Sequence, residues 1–325
     1  MLTLWVAVTL AFVLIRLIPG GPITVIRAQL RQQYPTASRE MIQRGIQTYI
    51  GITPDEPMWE QYVDYITGVL LHFDFGRSIT LGRPVADVYA EALPWTMFLI
   101  GSATFLMTIF SITIGALLAY EQQSKFDIIV SNLSITIGSI PYYLVAILLI
   151  ALFVTYLGWL PASGARATLL EAGFSVAYIG SILKHAILPI LSLSVAGAET
   201  VLGMRANSVR ILGEDYLRVA RLRMLPTHRI ALRYVAHNAI LPVYTGLVLS
   251  VVTLLAGSVI LEQIFQYPGV GLYFFQSIGA RDYPLMMGGF LMISAATVVA
   301  IFVADMTYSW IDPRASAGGA ASESY

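Results

Sequence analysis

The chain has no cysteine, only two lysines and four histidines, and 12% charged residues among its 325. Without thiols there is no disulfide framework, no thiolate nucleophile and no cysteine-ligated metal. The lysines, Lys125 and Lys184, follow Ser124 and Leu183. No Gly-Lys-Ser/Thr turn therefore exists to cradle phosphates, and ATP hydrolysis is not expected of this chain. No His-Glu-x-x-His pair occurs, nor a serine with glycine two residues away on both sides, which removes the zinc-protease helix and the nucleophile elbow. His228 and His237 stand in an arginine-rich stretch without the further ligands a metal site wants, and read as surface polar residues. The 19 basic and 19 acidic residues cancel, so no overall field draws the chain to nucleic acid. No catalytic residue, cofactor site or metal site is expected in it.

Apolar residues are what the chain has: 57% of the total, with a mean hydropathy of +0.73. That composition points to lipid as the solvent. A bilayer core of about 30 Å needs ~20 apolar residues in a helix, because every backbone N–H and C=O must be paired internally. Runs poor in charge are Met1–Ile15, Ala92–Tyr120, Ile128–Ala165 with an irregular tail, His185–Met204 interrupted by Glu199, Tyr234–Leu261 and Tyr283–Ala304. They predict an all-α integral membrane protein of six transmembrane helices. The first run, extended to Ile18, reads as a membrane helix and not a removable signal, and its abrupt start suggests a missing basic stub.

Between the first two spans, residues 19–91 are polar, with Pro-Gly-Gly-Pro, Tyr34-Pro35 and Thr53-Pro54 breaks and amphipathic stretches over Ser38–Tyr49 and Met58–Leu71. This segment reads as a small extracytoplasmic domain of short helices. The loop 205–238 carries seven arginines (205, 210, 218, 221, 223, 229, 233) against Glu214 and Asp215, and by the positive-inside rule it is cytoplasmic. Both termini then fall inside a cell membrane crossed several times, and residues 19–91, with six arginines and eight acids, fall outside. The turn Glu121–Asp127, one lysine against two acids, votes weakly the other way. Residues 92–312 form the remaining spans. The tail 313–325, rich in Ala, Gly and Ser, is expected to be disordered.

The most informative stretch runs from Gly213 to Val243. Asp215 sits where a carboxylate favours a helix start, Pro226 pushes Leu225 out of the helical region, and Thr227 is placed to cap a second helix. Leu217, Ala220 and Met224 fall on one face at spacings of three and four, with Arg218 and Arg221 beside them. Such a helix can lie on lipid headgroups or dock into a groove of a soluble partner.

The order Tyr216, Arg218, Ala220, Arg221, Leu225, followed by Asn238-Ala239 and Pro242, resembles the "EAA" loop of bacterial ABC-importer permeases, in particular dipeptide/oligopeptide permease subunits. Met224 stands where that family usually has glycine, which would allow a left-handed turn. Asp74-Phe-Gly-Arg-Ser78 with Arg83-Pro-Val85, Ser139-Ile-Pro141, Glu262-x-x-Phe265-x-x-Pro-Gly-Val-Gly271 and Arg281-Asp-Tyr-Pro284 extend the resemblance along the chain. The resemblance implies a type I ABC-importer fold. It implies a homologous second permease subunit as heterodimer partner, two ATP-binding subunits holding ATP and magnesium, and an extracytoplasmic solute-binding protein. It further implies that Asp215, Tyr216, Arg218, Ala220, Arg221, Arg223 and Leu225 couple the permease to the ATPase. The plainer reading of the arginines is topology alone. Cargo in such permeases is mostly di- or oligopeptides, with oligosaccharides or nickel complexes as alternatives.

Along the third span Asn132, Thr136, Ser139 and Tyr143 share one helical face. They could line a water-filled path, or join helices by hydrogen bonds. On the fifth span Gly246, Ser250, Thr253 and Gly257 make a small-residue face suited to close packing. Glu199 and Glu262 are path candidates because a carboxylate in lipid is costly unless it faces water or a partner, although Glu262 lies near a helix end where it could reach the interface. A membrane enzyme would draw on these acids and Asp305, but no base or nucleophile accompanies them in sequence. A secondary transporter acting alone would show more spans or inverted repeats.

Overall fold

The computed structural model describes residues 2–17, 21–50, 56–168, 170, 173–195, 197–240 and 258–311. Among them there is no β-strand, only an isolated bridge between Arg77 and Pro84. The helices are α1 (Leu2–Leu17), α2 (Pro22–Gln33), α3 (Arg39–Ile50), α4 (Met58–His72), α5 (Val85–Tyr120), α6 (Lys125–Gly138) and α7 (Tyr142–Leu149). A π-helix, Ile150–Tyr156, continues α7. Then come α8 (Val176–Val195), α9 (Thr200–Arg210) and α10 (Asp215–Leu222). The helix α11 opens at Thr227–Arg229, is π-wound over Ile230–Val235 and runs to 240; α12 covers 258–265, α13 Val270–Ala280 and α14 Tyr283–Ile311. All-helical architecture follows from the apolar composition, since a spanning segment must satisfy its own backbone.

The helices form two compact units, Met1–Met97 with Gln266–Val298, and Phe98–Phe265 with Val299–Tyr325. In the first, the amphipathic stretches expected over Ser38–Tyr49 and Met58–Leu71 are α3 and α4, and α2 joins them. Their apolar faces bury Ile26, Ile46 and Val69 with Phe12 of α1 and Met287 and Leu291 of α14. Phe12 meets the Tyr62 ring edge-on at 5.4 Å, and the Tyr62 hydroxyl lies 2.8 Å from that of Thr9. The run Asp74–Ser78 and the run Arg281–Pro284 come together here. The buried Asp282 carboxylate accepts from the Ser78 hydroxyl (2.6 Å), the Thr80 hydroxyl (2.7 Å) and amide (2.8 Å), and the Leu285 amide (3.2 Å) at the start of α14. A buried carboxylate with four donors is a satisfied structural group.

In the second unit α7 packs against α8 and α6 against α9. The long helix α5 meets α9 at Gly115, where a Cβ would lie 2.7 Å from the Val201 carbonyl oxygen and 2.6 Å from the Met204 Cβ. Only glycine admits that approach.

Among the described residues, three helices are long and apolar enough to cross a bilayer: Val85–Tyr120, Val176–Val195 and Tyr283–Val303. The third expected span, Ile128–Ala165, is a helix pair bent by 96° between Gly138 and Tyr142, and makes a fourth if taken as one span. Pro141 is the reason for the break, since it denies α6 a continuing amide. The fourth expected span, His185–Met204, is displaced: α8 starts at Val176, takes in Lys184 and ends at Val195, while Glu199 stands at the N-cap of α9. Lys184 does not end the helix but lies within it. The described apolar part of α1 is shorter, Leu2–Val13. Most of the fifth expected span, with Gly246, Ser250, Thr253 and Gly257, and the tail 313–325 lie outside the described residues.

Candidate coupling face

The helix α10 is built as the first half of a compact turn. Asp215 is its first residue, where its carboxylate favours the positive helix end. At the other end the Met224 amide donates to the Arg221 carbonyl (2.9 Å) and the Leu225 amide to the Ala220 carbonyl (3.5 Å), with Met224 at φ +51°. These two bonds around a left-handed residue form a Schellman motif, in which Leu225 folds back onto the helix's apolar face. Met224 thus makes the left-handed turn that glycine would make more easily, so Pro226 does not supply the break alone. Nor is Thr227 the cap: Pro226 occupies the N-cap of α11 and Thr227 is the first helical residue, with no side-chain cap bond.

The two faces of α10 differ sharply. Leu217 and Ala220 are buried against Ile230 and Val235 of α11, with Leu225, Ile211 and Tyr120 around them. Met224, assigned by spacing to the same stripe, leaves it and is 91% exposed, because the left-handed turn ends the helical period at Leu222. The outer face carries Tyr216, Val219 and Leu222, the last 77% exposed, flanked by exposed Arg218 and Arg223. Partial burial, and after it the Glu214 carboxylate, raises the Tyr216 phenol above its ordinary range, which keeps it a neutral hydroxyl. The Arg221 guanidinium lies 5.6 Å from the centre of the Tyr120 ring. Of the seven residues to which the resemblance gives a coupling role, Asp215, Tyr216, Arg218, Arg221 and Arg223 are exposed and Leu225 is half-buried. Ala220, 2% exposed, belongs to the chain's own core and supports that face from beneath.

A second contact ties this region to the rest of the unit. Arg205, midway along α9, grips the Asp127 carboxylate with Nε on Oδ1 and Nη2 on Oδ2, both at 2.6 Å. Asp127 also accepts from the Gln123 amide (3.0 Å) and the Ser131 hydroxyl (3.2 Å), while the Ser124 hydroxyl accepts the Asp127 amide and caps α6. The turn that voted against the topology therefore has one of its acids neutralised by an arginine of the basic loop. Sequence reading missed this pairing; its one local signal was Ser124 three residues before an acid at a helix start.

The path candidates are only partly brought together. Thr136 and Ser139 donate to the carbonyls of Asn132 and Ile135 in their own helix (2.9 and 2.7 Å). Tyr143 follows the 96° bend, so the four do not make one stripe. All four remain exposed. Glu199, also exposed, stands beside the same break: a Cβ on Gly138 would lie 3.3 Å from its amide nitrogen. Glu262 reaches no surface; it is fully buried within α12. Among the described residues no cluster of His, Asp and Glu could hold a metal ion.

Residues 111–317 match the family described as binding-protein-dependent transport system inner membrane component. The chain is 33% identical over 319 residues to the di/tripeptide transport system permease protein of Pseudomonas aeruginosa, covering 94% of this chain and 92% of the relative. It is 30% identical over 314 residues to the dipeptide permease of Bacillus subtilis (96% and 93%), and 33% identical over 307 residues to an oligopeptide permease of the same organism (94% and 92%).

Proposed function

The chain belongs to the binding-protein-dependent transport system inner membrane components, and from that premise we propose that it is a permease subunit of an ATP-driven importer of di- and oligopeptides. A binding protein delivers the peptide on the outer side. This chain and a homologous second permease form the passage, and two ATP-binding subunits on the cytoplasmic side hold ATP and magnesium. The proposed topology has six spans, both termini and the loop 205–238 inside, and the segment 19–91 outside. The Asp127–Arg205 pair supports placing the 121–127 turn on the same side as that loop. The coarse statement needs no proposal: this is a multi-pass membrane component, with no catalytic site of its own in the reading of its sequence.

The observation that carries the coupling role is the outer face of α10. Its inner face is anchored by Leu217 and Ala220, while Tyr216, Val219 and Leu222 stay exposed between arginines. An apolar ridge rimmed by cations at a membrane surface suits a groove on a soluble partner. Closure of the ATPases would press on this ridge. The load would pass through α9 and the Arg205–Asp127 pair to α6 and its break.

The test substitutes Leu222, since an acid at Ala220 would disrupt the chain's own core. In a reconstituted complex, Leu222→Glu is expected to lower ATP-dependent peptide uptake at least tenfold and to release the ATPase from the membrane, with the permease's thermal stability unchanged. Normal uptake with the ATPase retained would remove α10 from the coupling role.

A further inference from the structure

A cavity of about 430 Å³ lies between the loop after the π-helix and the outer half of α8, lined by Trp159, Leu160 and Pro161 on one side and Ser181, Lys184 and His185 on the other. We propose that this cavity is a carboxylate subsite, in which the Lys184 ammonium receives the terminal carboxylate of a short peptide. The proposal rests on the importer reading above and names where one end of the cargo binds.

Lys184 is the ninth residue of α8, about 12 Å along a helix that is apolar enough to cross a bilayer. A charge at that depth is expensive unless it faces water or a partner of opposite sign. The cavity opens beside it to the protein surface, and among the described residues no acid lines it. His185 Nδ1 lies 2.7 Å from the Ser181 carbonyl oxygen, which can only accept, so Nδ1 is the donor of that bond. The Lys184 ammonium is the cation the cavity offers, beside a histidine whose Nδ1 is tied back to its own helix. A single ammonium matches a monoanion; a phosphate would call for a second cation or a cluster of backbone amides. The volume fits a small ligand, and the indole and prolyl walls suit an apolar side chain beside the carboxylate.

The walls are held in place. The Ala167 amide donates to the Ser181 hydroxyl at 2.8 Å, and the Arg166 guanidinium lies 5.4 Å from the centre of the Tyr178 ring, so the loop is clamped to α8 at two points. Gly158, at φ +64°, turns the chain out of the π-helix Ile150–Tyr156 into the cavity wall. A π-wound segment is uncommon and often borders a functional site.

The experiment uses the whole complex in lipid vesicles, with the binding protein loaded to equal occupancy with alanyl-alanyl-phenylalanine or with its C-terminal amide. The wild type is expected to import the free acid about tenfold faster than the amide, and Lys184→Gln to abolish that preference by slowing the acid alone, the scale of one charge-assisted hydrogen bond. Lys184→Arg is expected to retain most of the preference, and the Lys184→Gln complex to remain assembled. The proposal is overturned if Lys184→Gln slows both peptides equally, or neither. It is also overturned if the loss appears only in vesicles containing phosphatidylglycerol, which would make a lipid headgroup the occupant. Recovery on adding Glu171→Gln would overturn it too, by showing that the ammonium only balanced that acid. If the wild-type complex imports neither peptide with ATP, the importer reading itself fails.

Discussion

Two arginine regions of similar composition do different work. Arg205 turns inward, and its side chain is only 30% exposed where it meets the Asp127 side chain, which is 4% exposed. Arg218 and Arg223, thirteen and eighteen residues further on, stay on the surface of α10, and no ion pair involves them among the described residues. In the positive-inside count the three are equivalent. The difference teaches that a basic loop can hold a structural arginine at its root and leave solvent-facing arginines at its tip.

That comparison breaks most readily at its buried end. Arg205→Ala leaves the Asp127 carboxylate enclosed without its partner, and about 3 kcal/mol of stability should be lost. A lowered melting temperature in detergent would show it, with partial recovery in Arg205→Ala combined with Asp127→Ala. An unchanged melting temperature would mean that Arg205 is as dispensable as the arginines at the tip.

The left-handed turn that closes α10 has a smaller expected effect. Met224 holds a left-handed conformation that costs a non-glycine residue about 1 kcal/mol. Met224→Gly should raise the melting temperature slightly and leave uptake intact; destabilisation would show that the exposed methionine side chain supports the turn.

The tip should matter least to the fold. Arg218→Gln with Arg223→Gln should shift stability by less than about 0.5 kcal/mol, while ATPase binding weakens and becomes less sensitive to salt. A stability loss as large as that of Arg205→Ala would erase the distinction between root and tip.

Much of this arrangement was legible in advance. The amphipathic stretches over Ser38–Tyr49 and Met58–Leu71 became α3 and α4 because an apolar stripe at helical spacing has few other ways to be buried. The order of residues from Tyr216 to Pro242 named the family. Its spacing placed Leu217 and Ala220 together but wrongly kept Met224 with them, since helical periodicity stops at a turn that local sequence marks poorly without glycine. Lys184 misled in the opposite way. Read as the end of a span, it lies inside α8, where residues some twenty-five positions earlier form a cavity beside it.

Hydropathy, charge asymmetry and the absence of thiols and phosphate-binding turns are properties of the chain alone. By themselves they determined an all-helical membrane protein with one strongly basic loop. The meeting of Asp127 with Arg205, of Ser78 with Asp282, and of Lys184 with its cavity joins residues that local periodicity cannot connect. Only the tertiary structure decided those, because whether a charge is neutralised, enclosed or left for a partner depends on what long-range packing sets beside it.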